Sequence, residues 1–419
     1  MLLHSLKNKY VMRRLKHIVL MTAVLATLAA CNGRHTRIYD PHFVSFKASY
    51  NARFDNILYP SMLMALANYS GVEKDTLFTV SAVAPANNAV LRVVVDSTAL
   101  NYVTILQEVM PRKGERYTFA PSIKWKFEKL YALRQQGALD LTFTCFVNDE
   151  EVDSKTLRLN YRSVNDCLLS AVDTGGTVDY RWLFMGYVNE EHPFIDSILT
   201  TILDQGTLST FAGYQRGRQH VIDEVYSIWY YALDRGITYS SISCTANPSK
   251  RASTQHIRFF DEVYNSRQAN CIDACVFFAS IMRKIGLKPV ILVEPCHAYL
   301  GYYTDKDRKE MRLLETTITS WVNIPAMRKS YETTGKLTKD QHDRLVKYLT
   351  AEQVRRWDAG ELTFEQMQEL LTQALFKQAT SYRQESYKAN KKYFTNNENG
   401  YQMLPVDELR KVVQPIGVY

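Results

Sequence analysis

The chain has 419 residues, 46% of them hydrophobic and 22% charged, enough for about two to three domains with sizeable cores. Its formal charge of +8 gathers at the start: Lys7, Lys9, Arg13, Arg14 and Lys16 precede any acid, and without them the 51 basic residues come near balance with the 43 acidic ones. That distribution gives no case for a nucleic-acid partner, and seven cysteines without paired spacing do not make a disulfide scaffold.

Residues 1–30 have the form of a lipoprotein signal peptide. Arg13, Arg14 and Lys16 supply a basic stretch and residues 18–30 an apolar run, and Leu28-Ala29-Ala30-Cys31 resembles a bacterial lipobox. The run falls short of the ~20 apolar residues that span a bilayer. Cleavage before Cys31 and lipidation of its thiol would anchor the protein to a membrane. The expected location is then the bacterial cell envelope, periplasmic or at the outer membrane, with residues 31–44 as a tether.

Residues 45–165 carry short alternating runs such as Val90-Leu91-Arg92-Val93-Val94-Val95, and Asn148-Asp149-Glu150-Glu151 reads as a hairpin turn. Strands at this spacing predict an all-β sandwich of Ig-like type. The segment has no cluster of chemistry-bearing side chains, so a spacer or docking module is expected.

Helical texture strengthens over residues 218–235, where Val221, Val225, Ile228 and Ala232 recur on one face. A second helix is expected over residues 271–285, apolar on nearly every side. Asn270 caps its start, Asp273 lies in its first turn, Arg283 and Lys284 in its last, and Gly286 stops it. A thiol at such an N-terminus faces the positive end of the helix dipole, which makes Cys271 a candidate nucleophile. Three strands follow, over residues 288–294, 298–303 and 311–316. His297 and Glu315 are symmetric about residue 306 in the charged turn, so they are predicted to be cross-strand neighbours. A carboxylate beside an imidazole fixes its tautomer and stabilises the imidazolium. Residues 339–357 and 363–391 read as two charged helices, and residues 326–390 as a helical insertion forming a solvated layer.

Cys271-Ile272-Asp273, Ile285-Gly286-Leu287-Lys288-Pro289-Val290, His297-Ala298-Tyr299-Leu300-Gly301-Tyr302 and Leu314-Glu315-Thr316-Thr317 resemble the core of the transglutaminase-like superfamily. The resemblance covers roughly half the chain and implies a papain-like α+β core over residues 166–325. An N-terminal β-sandwich would precede that core, and residues 391–419 would complete it with a strand and helix. It further implies a Cys271, His297, Glu315 triad, with glutamate where aspartate is more usual. The match at Gln255-His256-Ile257-Arg258 makes Gln255 a candidate oxyanion donor. The implied activity is cleavage or transfer at a peptide or amide bond of a peptide or protein, cell-wall material included, with hydrolysis favoured over transamidation. A catalytically inactive, lipid-anchored binding or assembly protein on the same fold is the alternative.

No cofactor is expected. A zinc site built on Cys271, Cys275, Cys296 and His297 is disfavoured because adjacent strand residues face opposite ways, and Cys275 and Cys296 are expected to be buried as small hydrophobes. His192, His220, His256 and His342 are expected in turns or on exposed polar surfaces.

Overall fold

The computed structural model describes residues 44–68, 77–173, 175–241 and 249–417. The signal peptide and Cys31 lie outside them. The fold is mixed α+β, and among the described residues no helix is long and apolar enough to cross a membrane.

The first part is two sheets. One holds β1 (Lys47–Tyr50), β3 (Phe78–Val83) and β6 (Arg116–Phe119) in the order β1-β3-β6. The other holds β2 (Ile57–Leu58), β4 (Ala89–Val95), β5 (Thr104–Met110), β7 (Gly137–Val147) and β8 (Glu150–Tyr161) in the order β2-β8-β7-β4-β5. Strict alternation of buried and less buried residues along β3 and β4 shows that each strand turns one row of side chains inward. The rows meet where Phe78 of β3 lies 6.1 Å, centroid to centroid, from Phe143 of β7. The short helix α1 (Pro60–Ala65) is buried along its whole length, Ser61 donates a hydrogen bond to the Asp166 carbonyl, and a second short helix, α2 (Phe127–Tyr131), packs against α1. A continuous hydrophobic core runs from these sheets into the rest of the chain.

Beyond residue 165, β9 (Asp166–Asp173), β10 (Gly176–Asp179) and β12 (Ala252–His256) form a small sheet in the order β10-β9-β12, and β11 (Thr238–Tyr239) pairs in parallel with β13 (Gln268–Ala269). Four antiparallel strands make the sheet that carries the site: β14 (Pro289–Glu294), β15 (His297–Tyr303), β16 (Met311–Leu314) and β17 (Gln402–Pro405), in the order β16-β15-β14-β17. The helices of this part are α3 (Pro193–Asp204), α4 (Gly217–Arg235), α5 (Phe260–Ser266) and α6 (Cys271–Lys284).

Helix α6 forms where its caps and apolar content predict, with eleven of its fourteen residues buried. Asn270 Oδ1 accepts from the Asp273 amide at 2.9 Å, and Asp273 Oδ2 accepts from the Asn270 amide at 3.0 Å, a reciprocal capping box. Gly286, at φ +80°, lets the chain leave the helix. Ala298, Leu300 and Tyr302 join the main core on the α6 side of the sheet. Val290, Leu292, Tyr299 and Leu313 lie on the other face, in a second cluster with Phe394.

The charged C-terminal segment departs from the expected solvated layer. Helix α7 (Ile324–Thr334) is followed by α8 (Lys339–Tyr348) and α9 (Ala351–Asp358), where one helix had been expected. Leu349 is extended and Thr350 caps the next helix in a box with Gln353. The second expected helix is likewise two, α10 (Phe364–Ser381) and α11 (Gln384–Asn396). Helix α10 packs on β16, while α11 brings Phe394 onto the second face of the sheet. Helix α12 (Val406–Leu409) closes the fold, and the Gln414 and Ile416 amides bond back to Ala65 and Gly186.

Gly236 ends α4 in the left-handed conformation at φ +78°, and a Cβ there would come within 2.8 Å of the Pro325 ring. Both the backbone and the contact oppose a side chain, so Gly236→Ala is expected to destabilise the protein by about 1–3 kcal/mol. A shift of the urea midpoint at unchanged slope would report it.

Candidate active site

Cys271 is the first residue of α6 and is half-buried. Its position is set by Asp273, which is fully buried and holds more than the helix cap. Arg258 donates to it from both the backbone amide and the guanidinium, each at 2.8 Å. Burial pushes the Asp273 carboxyl up, against the hydrogen bonds from Asn270 and Arg258. A carboxylate this buried is tolerated because its lone pairs are occupied, and it ties the loop after β12 to the turn that carries Cys271.

His297 opens β15 after the two-residue turn Pro295-Cys296. Cys296 takes φ +65° and is exposed, which corrects its expected burial: the strands stop at Glu294 and resume at His297, leaving Cys296 at a turn tip rather than within the pleat. Cys275 is buried as expected. Among the described residues no group of three His, Cys, Asp or Glu side chains is arranged to hold a metal ion.

The β15–β16 register differs from the predicted one. Leu300 pairs with Leu314 and Tyr303 with Met311, so the position across from Glu315 is Tyr299, and His297 is its diagonal neighbour. The turn is displaced because Asp305 caps it, accepting from the Lys309 and Glu310 amides, while the Thr304 amide bonds to the Glu310 carbonyl. The side chains still meet, His297 Nε2 to Glu315 Oε2 at 2.8 Å. Diagonal partners in a sheet stand about 7–8 Å apart, a gap that suits the extra methylene of glutamate over aspartate. With Nε2 on Glu315, Nδ1 is the ring nitrogen left for Cys271.

Glu315 is fully buried and caps the short 3-10 helix Thr316–Trp321. Its Oε1 accepts from the Thr317 amide at 3.2 Å and hydroxyl at 2.7 Å. Burial works to raise its carboxyl, but hydrogen bonds and charge from His297, with further hydrogen bonds from Arg383 and Thr317, win and lower it to about 2. Burial likewise works to lower His297, and its interactions with the Cys271 thiol and Glu315 raise it to about 9. The imidazole is therefore charged at neutral pH, beside the cysteine.

Two residues of the site, Arg383 and Tyr239, are not among the candidates named from the sequence, although Gly236-Ile237-Thr238-Tyr239 belongs to the segments that extend the resemblance. Arg383, at the junction of α10 and α11, donates from Nε to Glu315 Oε2 at 2.6 Å and from Nη1 to Glu294 Oε1 at 2.9 Å. It is one of many basic residues in a charged helical stretch, and the break before α11 was the only available cue. Tyr239 on β11 is 42% exposed. Its phenol is raised by burial and by the nearness of Cys271 and Glu315, so it stands at the rim of the same site.

The Gln255 amide, the expected oxyanion donor, bonds to the His256 carbonyl at 3.0 Å. That carbonyl also receives the Asn270 amide at 3.5 Å, so Gln255 shares an acceptor with the residue preceding Cys271. The other described histidines pair with structural groups. His192 Nδ1 caps α3, His256 faces Asp166 at 3.3 Å and His342 faces Asp358 at 2.8 Å. His220 departs from its expected exposure: it is largely buried beside Glu224, at 3.2 Å, because Glu224 is itself enclosed and also caps the Ala212 and Gly213 amides. No family model matches the chain, and no curated protein sequence matches it.

Proposed function

We propose that this is a transglutaminase-like cysteine enzyme on a papain-like core, acting on peptide or amide bonds, with hydrolysis favoured over transamidation. The observation that carries the reading is the buried Glu315 carboxylate bonded at 2.8 Å to His297 Nε2, an imidazole raised by its nearness to both Glu315 and Cys271. In the first half-reaction the Cys271 sulfur adds to the amide carbon, a C–S bond forms, and the carbonyl electron pair moves to oxygen. The Cys271 backbone N–H and the Gln255 amide are the proposed donors to that oxyanion. The C–N bond then breaks as the His297 imidazolium gives its proton to the leaving amine. Neutral His297 next takes a proton from water, which attacks the thioester, and the thiolate departs to restore the ion pair. Glu315 stays ionised and holds the ring.

The lipobox-like Leu28-Ala29-Ala30-Cys31 supports a membrane-anchored protein of the cell envelope, whose substrates would be peptides or proteins including cell-wall peptides. A screen of peptide and cell-wall amides is the test. Turnover by the wild type, abolished in Cys271→Ala and accompanied by an acyl adduct on Cys271 by mass spectrometry, is the expected result. An enzyme whose turnover survives Cys271→Ala would overturn the assignment.

A further inference from the structure

Arg383 joins two buried carboxylates at the site. Glu315 and Glu294 come from different strands, and the guanidinium bridges them through Nε and Nη1. The guanidinium also lies over the rings of Tyr299, at 5.7 Å, and Tyr382, at 5.4 Å. Its helix junction is tied down a second time, because the Glu315 amide donates to the Ala379 carbonyl near the end of α10 at 2.9 Å. His297 and Arg383 share one acceptor, Glu315 Oε2. We propose that Arg383 is a positioning residue of the triad, which makes the α10–α11 junction a working part of the site. The inference rests on the acyl-transfer reading above.

The charges facing Glu315 make the role specific. His297 comes from β15, Arg383 from the α10–α11 junction and Thr317 from the 3-10 helix. Tyr239 of β11, Cys275 of α6 and Tyr299 of β15 also feel its charge. Glu294 from β14 adds a second negative charge on Arg383. Without Arg383, Glu315 would keep the imidazole of His297, while Glu294 would lose its ion pair at 2.9 Å. A cation within about 4–6 Å lowers a carboxyl by roughly 1–3 pH units, and its removal returns them. Glu315 would then take up a proton in mildly acidic solution and release its hold on His297.

The test measures the rate of Cys271 alkylation against pH for the wild type, Arg383→Met, Arg383→Lys, Glu294→Gln and His297→Ala. In Arg383→Met the acid limb should move up by about one unit or more from the Glu315 value of about 2, slowing the reaction at least about twofold near pH 3 and hardly at all at pH 7. Arg383→Lys should restore most of the wild-type profile, and Glu294→Gln, which removes a negative neighbour, should not raise the acid limb. If Arg383→Met folds and keeps the wild-type profile, or if it and Arg383→Lys are slowed equally at every pH, the positioning role is overturned. If Arg383→Met fails to fold, the Arg383→Lys and Glu294→Gln profiles decide: a raised acid limb in Glu294→Gln overturns the role. A wild-type profile that does not depend on His297 would instead sink the acyl-transfer reading itself.

Discussion

Replacing His297 with alanine is expected to slow alkylation of Cys271 near pH 6 by about 100-fold. An ordinary thiol, with a pKa near 8.5, is only a few parts per thousand thiolate at that pH, whereas a thiolate held by an adjacent imidazolium is nearly all reactive form. His297 can act as that partner because its charge persists to about pH 9. Removing it takes away the cation and leaves the Cys271 sulfur at the N-terminus of α6, whose dipole is a weaker influence of a few tenths of a kcal/mol to about 1. The variant should therefore lag most near pH 6 and climb through pH 8–9 like a free thiol, and the two rates should converge above about pH 9, where His297 loses its charge and a thiol ionises without help. Iodoacetamide kinetics followed by intact-mass analysis would separate the two curves. Equal rates for wild type and variant at pH 6 would mean that Cys271 and His297 do not work as a pair.

What the sequence made legible was local. The Asn270 and Asp273 capping box, the Gly286 stop and the apolar faces of α6 are short-range chemistry, and they form as expected. The site strands are also found close to their expected bounds. Long-range pairing was read less well. The contact of His297 with Glu315 was correctly anticipated, but from the wrong register, because Asp305 caps the turn and moves its centre by one residue. Arg383 could not be read at all: it reaches Glu315 across 68 residues, and no periodicity in a charged helix marks which arginine turns inward. Tyr239 was missed for a similar reason, since its place beside Cys271 depends on the parallel pairing of β11 with β13.

Glu315→Gln should cost stability in a pH-dependent way. The folded carboxyl is lowered to about 2 from its usual 4.5, so its stabilisation is fully present above about pH 4.5 and is lost as pH falls toward 2. The folded imidazole is raised to about 9 from its usual 6.5, so its share is present below about pH 6.5 and is lost as pH rises through 9. These are two views of one interaction and do not add. A shift of this size corresponds to about 3 kcal/mol, in line with the penalty for breaking a buried ion pair by removing one partner. Glutamine keeps the shape but leaves His297 in a setting where burial disfavours its charge, and leaves Arg383 only Glu294 as a close counter-ion. The difference between wild type and variant should thus be greatest, about 3 kcal/mol, between roughly pH 4.5 and 6.5. It should shrink toward pH 3 and decline again as pH rises from about 6.5 through 9. Urea unfolding at pH 3, 5.5 and 9.5 measures it, and a difference constant across that range would show that Glu315 contributes by packing rather than by charge.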